Sequence, residues 1–375
     1  MDFLTILIYA GAIQGTFLGC IFWFHDRGNR QANRLLALII TAFTCYLLIP
    51  EMTRNYYREW PHLIGITYPI VFILGPLTLL YIKSLIGSEL HNEKNLLHFG
   101  PAILCLALLV PFFLESGTDK IIFYDSIRQA GLPLIWSSLW GFACVHTSIY
   151  SYWAAKKLEF YNEYLKKRFS NIDKINLSWL QKLVYGLSAL WGLYLIFFLL
   201  SMASISTDPY GVADYIFSLA IVFLVYGIGF MTFRSPEIIS YKPSMQNSSY
   251  AKSGLDTAKA DEYVKEFRDF MDAEKPYKQS DLTLRELADM MDIPPKHLSE
   301  ILNKQMDSSF YEFVNLYRAR EAASMIRSLD DEHVTILEVM YESGFNSKST
   351  FNNYFKRVTG QTPTRYRKKI SSQDN

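Results

Sequence analysis

Between residues 343 and 370 the chain carries Lys348, Lys356, Arg357, Arg365, Arg367, Lys368 and Lys369, and no acidic residue. Uncompensated cations in this number suit a polyanion, either nucleic-acid phosphate or the anionic surface of a bilayer, and otherwise form a solvated basic face. That is binding chemistry. Catalytic chemistry has little to work with. The histidines, His25, His62, His91, His98, His146, His297 and His333, contain no HxxxH or HExxH spacing. No apolar run holds the paired carboxylates or Asp–His set that hydrolysis within a membrane needs, so the sequence argues against an enzyme and calls for no cofactor or metal. Cys20, Cys45, Cys105 and Cys144 all lie inside apolar runs without CxxC spacing. They read as small buried hydrophobes.

The elements that must position the basic stretch differ sharply along the chain. Up to residue 233 charges are sparse, and seven apolar runs stand out: 3–24, 35–50, 63–82, 96–114, 131–155, 183–205 and 212–233. A membrane span needs about 20 mostly apolar residues, so these predict a seven-helix transmembrane bundle, the second run borrowing flanking residues. The first run has no cationic leader or small-residue cleavage site and reads as a span, not a signal peptide. Loops after the first, third and fifth runs hold twelve Lys/Arg (Arg27 to Lys182), against Arg54, Arg58, Lys120 and Arg128 in the opposite set. Cations stay on the cytoplasmic side, which places the N-terminus outside and the C-terminal half in the cytoplasm.

Little chain is left outside, so a signal would enter through a cavity among the helices, from lipid, or from a partner protein. Gln14 and His146 lie deepest in the apolar runs. Each is either satisfied by an interhelical hydrogen bond or part of a ligand or proton site. Gly11, Gly15 and Gly19 form a stripe of small residues, suited to close packing inside the bundle or to a homodimer seam. Gly75-Pro76 predicts a kink in the third run. A transporter would carry internal repeats with broken helices at matching positions, and no convincing repeat is present.

Residues 234–255 are rich in Ser with two prolines and read as a polar linker. Residues 256–280 follow as an acidic connecting helix, with Val264, Phe267, Phe270 and Met271 on one face. In residues 281–375 the helical patterns pair. Thr283 with Glu286 makes a capping box, and Leu284, Leu287 and Ala288 form one buried face. Asp292-Ile293-Pro294-Pro295 turns the chain, and Leu298, Ile301 and Leu302 bury the next helix. A long helix, FYEFVNLYRAREAASMIRSL, separates this pair from a second, ILEVMYESGF and NSKSTFNNYFKRV. Gly344 ends the first helix of that second pair, and Phe351, Tyr354 and Phe355 face inward on the other. The expected fold is all-α, a membrane bundle followed by a soluble tandem helix-turn-helix domain whose two reading helices could enter successive major-groove segments. From residue 255 on there are 18 Lys/Arg against 21 Asp/Glu, so the basic stretch is local and not the sign of the whole domain.

LTLRELADMMDIPPKHLSEILNK, the long helix and ILEVMYESGFNSKSTFNNYFKRVTGQTPTRYR together resemble the AraC/XylS-type bacterial transcription regulators, over roughly residues 282–369. The Gly-Phe, Phe-Lys-Arg, Thr-Gly-Gln-Thr-Pro and Tyr-Arg fall in order at that family's spacing. Seven spans, a polar linker and such a tail look like a membrane-bound subgroup. The resemblance implies a one-component regulator in the bacterial cytoplasmic membrane, with promoter DNA and RNA polymerase as partners, beside membrane lipid and a second copy of the chain. It implies base contacts from Lys296, His297, Ser299, Glu300 and Asn303 on the first reading helix, and from Lys348, Ser349, Asn352 and Asn353 on the second. Asn suits adenine and Lys suits guanine acceptors. Lys304, Lys356, Arg357, Arg365 and Arg367 would clamp phosphates and fix register. Glu300 departs from the basic or amide residue common there, which weakens that helix or turns it to a cytosine amino group. Most relatives carry a soluble ligand domain in front, so their effectors do not carry over.

Three points stay open at the level of sequence. The loop 156–182 is either a relay to the DNA domain or a plain topogenic cationic loop. The tail works in place or after proteolytic release. The competing class is a transporter or enzyme whose basic tail binds protein or lipid.

Overall fold

An apolar segment must close its own backbone hydrogen bonds, and among the described residues each of the seven runs is mostly helical. The computed structural model describes residues 3–26, 28–87, 93–173, 175–204, 212–234, 257–328 and 334–372. The expected linker lies outside them beyond Arg234, as do Arg27, His91, Lys174 and His333. Among the described residues the elements are helical, without a strand. The chain divides into two compact units. The first comprises Met1–Glu159 and Leu177–Met245, and the second Phe160–Asn176 and Gln246–Asn375. A segment that lies between two apolar runs in the sequence thus belongs to the C-terminal unit.

The first unit contains α1 (Phe3–Phe24), α2 (Arg30–Tyr56), α3 (Thr67–Leu85), α4 (Gly100–Phe113), α5 (Gly117–Ala130), most of α6 (Leu134–Lys166), α7 (Ser178–Ser204) and α8 (Val212–Arg234). Phe43, Val71, Phe72, Trp191, Ile221 and Val225 are among its buried core. Phe17, Ile103, Leu104, Leu114 and Phe223 stand exposed, an apolar exterior compatible with insertion into lipid. Among the described residues five helices are long and apolar enough to cross a membrane. A sixth is added if α5 and α6, bent by 82°, count as one broken span. The count of seven from sequence is therefore not reproduced. Of α8 only Asp214–Ile228 enters that comparison, as a shorter apolar helix, and a further helix, α5, stands in a loop of the sequence reading.

The small-residue stripe has a clear use. A Cβ at Gly11 would lie 2.6 Å from Val222 of α8, and one at Gly19 would lie 3.1 Å from Thr41 of α2. The stripe lets α1 seat against both neighbours inside the bundle. The helix α2 does borrow its flanks and passes through Pro50, which buries Glu51. That carboxylate accepts from Thr5 at 3.0 Å, Arg54 at 3.1 Å and Asn55 at 2.8 Å.

The second unit contains α9 (Thr257–Glu274), α10 (Leu284–Met290), α11 (Pro295–Glu300), α12 (Phe310–Arg327), α13 (Ile336–Glu342), α14 (Lys348–Thr359) and α15 (Pro363–Ser371). It has two cores on one long helix. Phe267, Leu287, Leu298 and Leu302 gather with Phe310 and Val314 from the start of α12. Val339, Met340, Phe345, Phe351 and Phe355 gather with Ala319, Ala322 and Ile326 from its end.

Candidate nucleic-acid interface

Each short helix pair is started by the same local chemistry. The Thr283 hydroxyl caps the Glu286 amide while the Glu286 carboxylate returns to Thr283, and Thr335 and Glu338 repeat this at α13. Both boxes satisfy amides that the first helical turn leaves without partners. Between α10 and α11 Asp292 takes φ +55°, and the Ile293 amide donates to Ala288 O at 3.0 Å. Between α13 and α14 Gly344 takes φ +92°, and the Phe345 amide donates to Met340 O at 3.0 Å. The second turn needs glycine. A Cβ there would sit 2.5 Å from Tyr277 O and 3.0 Å from Arg318 Nε.

The helix α14 presents a clean polar face. Phe351, Tyr354 and Phe355 are buried, which leaves Lys348, Ser349, Asn352, Asn353 and Lys356 exposed on the other side. The structure places Lys348, Ser349, Asn352 and Asn353 on one exposed face of α14, with Lys356 beside them. The basic residues around them are used unequally. Arg357 pairs with Glu312 of α12, Arg367 donates to Val334 O at 2.6 Å, and Arg365 is exposed.

The helix α11 is different. It continues into a wider π-type turn over Ile301–Gln305. Lys296 is exposed, and Asn303 is exposed but gives its amide to Ser299 O at 2.6 Å. Glu300 is held by Lys304. His297 is half-buried with its Nδ1 unpartnered, its ring 6.2 Å from that of Tyr263 on α9. Fewer free groups point outward here than on α14.

Sequence reasoning missed a heavily bonded polar residue of the unit. Arg318 on α12 is 1% exposed. It donates to Tyr277 O at 2.7 Å, Gln279 O at 2.7 Å, Ser280 O at 3.1 Å and Asn315 Oδ1 at 3.3 Å, and twice to Ser170. Burial pushes the guanidinium down to about 10, with Asp281 and Tyr311 pulling it partly back. Only the helical spacing of Asn315 and Arg318 hinted at a shared inward side.

In the first unit Gln14 is half-buried and His146 is buried. Neither ring nitrogen of His146 has a hydrogen-bond partner among the described residues, and the rings of Phe72, Phe142 and Tyr150 surround it. Among the described residues no group of His, Cys, Asp or Glu is arranged to hold a metal ion.

Residues 287–369 match the family model described as a helix-turn-helix domain. This region is similar to an uncharacterized HTH-type transcriptional regulator, YtdP, of Bacillus subtilis (strain 168), at 32% identity over 94 residues. The alignment covers 25% of this chain and 12% of that one. A regulator of the same description from Staphylococcus aureus (strain COL) is 32% identical over 87 residues, 23% of this chain and 11% of its own. The chain thus matches only a small part of these relatives' length. A solved C-terminal domain of AraT, a response regulator from Geobacillus stearothermophilus, is 26% identical, with a TM-score of 0.25. That comparison covers 31% of this chain and 88% of that one.

Proposed function

We propose that this protein is a membrane-embedded, one-component transcription regulator, whose second unit binds promoter DNA through two helix-turn-helix motifs, α10–α11 and α13–α14. The observation that carries the reading is the helix-turn-helix match over 287–369, which begins within α10 and runs on through α11, α12 and the pair α13–α14. The exposed face of α14 supports it further. Asn352 and Asn353 suit adenine, Lys348 suits guanine acceptors, and Lys356 and Arg365 suit flanking phosphates. Lys296, Ser299 and Asn303 are the corresponding groups of the first motif, with His297 and the Lys304–Glu300 pair nearer its edge. Arg357 and Arg367 reach phosphates only after sharing their present partners.

The first unit is the sensor in this reading, with seven apolar helices in the bacterial cytoplasmic membrane, the N-terminus outside and the second unit in the cytoplasm. Its apolar exterior and the excess of cations on one set of loops support that. His146 is the best-supported intramembrane signal site, because a buried imidazole with two open nitrogens gains from a ligand or a proton. An apolar crevice lined by Leu36, Phe43, Tyr81, Trp179 and Leu224, with the Trp179 Nε1 unpartnered, offers an entry from lipid. Gln14 is a weaker candidate. RNA polymerase, lipid and a second copy of the chain are the remaining partners.

Selection of genomic DNA fragments on the full-length chain in membranes tests the reading. A shared sequence motif should emerge, and Lys348→Ala with Asn353→Ala should abolish it. Recovery of lipid or protein with no DNA motif would favour a transporter or enzyme with a basic tail.

A further inference from the structure

The segment Phe160–Asn176, the end of α6 and most of the α6–α7 connection, belongs to the second unit. Its contacts there are specific. An antiparallel bridge joins Phe169 and Thr283, with the Ser170 amide donating to Leu282 O at 3.1 Å and the Leu284 amide donating to Arg168 O at 2.9 Å. The Leu284 amide is one of the four that the start of α10 cannot satisfy within its own helix, so the segment completes that helix cap. Ser170 is 1% exposed. Its carbonyl accepts from Asn315 Nδ2 at 3.0 Å and from Arg318 Nη1 at 3.2 Å, while its hydroxyl accepts from Arg318 Nη2 at 3.0 Å. A buried guanidinium needs acceptors for all five of its N–H groups, and two of the bonds to Arg318 come from this one residue.

The same segment reaches the second helix pair. Both carboxylate oxygens of Asp173 accept from the Thr350 hydroxyl in the first turn of α14, at 3.1 and 3.0 Å. A carboxylate is favoured at that helix end. Asn171 donates to Asp281 at 3.2 Å, and Asp281 also accepts from Asn346, in the turn before α14, at 3.3 Å. Six consecutive residues, 168–173, therefore touch the start of α10, the middle of α12 and the start of α14.

We propose that residues 168–173 are a docking strap: an interaction surface formed by Arg318, Asn315, Asp281 and Thr350 grips the first half of the α6–α7 connection. The strap holds the two helix pairs in one mutual position. The helix α6 carries His146 and ends at Lys166, just before the strap. The consequence for DNA rests on the reading above. The docking does not.

The test uses the full-length chain in isolated membranes. Asp173→Cys with Thr350→Cys should form an intramolecular disulfide under mild oxidation, identified as linked tryptic peptides by mass spectrometry. Asp173→Cys with Lys369→Cys should not. Absence of the first link, or equal formation of the second, would overturn the docking. The double variant Asn171→Ala/Asp173→Ala alters polar contacts outside the core and leaves Arg318 its acceptors. It should lose several-fold in affinity for a site spanning both motifs. The oxidised cysteine pair should keep wild-type affinity. Unchanged affinity in the alanine variant would overturn the positioning role. A disulfide that forms in a chain with no DNA footprint would uphold the docking and fail the DNA reading instead.

Discussion

At the scale of single residues, the second unit depends on a few side chains that no other type replaces. Gly344→Ala places a Cβ against Tyr277 O in a backbone region that L-residues avoid. It should cost about 1–3 kcal/mol, seen as faster hydrogen exchange of α12 and α13 amides in the full chain. Arg318→Ala should cost more, about 3–5 kcal/mol, because it strands buried carbonyls of Tyr277 and Ser170 and opens a cavity. Glu321 gives a pH dependence with a definite sign. Burial raises its carboxyl, but Lys278 and Lys275 outweigh that and leave it below the usual value. A carboxyl lower in the folded than in the unfolded state stabilises above the ordinary carboxylate range and loses that contribution as pH falls through the folded value. Amide protection in α12 should therefore drop at acid pH, and the drop should be smaller in Glu321→Gln.

Helix caps decide much at the scale of elements. Thr283→Ala and Thr335→Ala should each cost about 1 kcal/mol, and the two should add because α10 and α13 start in separate cores. The Thr283–Glu286 box was legible in sequence, as were the inward faces Leu284/Leu287 and Phe351/Phe355 and the turn glycine, because each is set by neighbours within four residues; the Thr335–Glu338 box has the same spacing and was missed. Most of what was not legible is non-local. Ser170 and Arg318 stand 148 positions apart, and a serine in a cationic loop carries no periodic signal. Glu51 escaped notice because Pro50 looked like the end of a run, whereas α2 continues through it to Tyr56. His146, read as deep in an apolar run, is buried, and neither ring nitrogen finds a partner among the described residues. The count of seven spans is not confirmed: among the described residues five helices are long and apolar enough, or six if α5 and α6, bent by 82°, form one broken span.

On the scale of the whole molecule, composition separates an apolar unit from a charged one, and only the fold adds the α6–α7 connection to the second. In the DNA reading, groups that clamp phosphate and groups that read bases must behave differently. Lys356→Ala should lower the slope of log affinity against log salt by about 1 and weaken all sequences alike. Asn353→Ala should instead relax the preference at one base pair, worth about 1–3 kcal/mol. The most direct check of the central claim is chromatin immunoprecipitation with sequencing, comparing the full-length chain with its Lys348→Ala/Asn353→Ala variant at matched expression. The account predicts discrete promoter peaks for the first that vanish in the second. Peaks that survive the double substitution, or none under any growth condition, would contradict a regulator that reads DNA through α14.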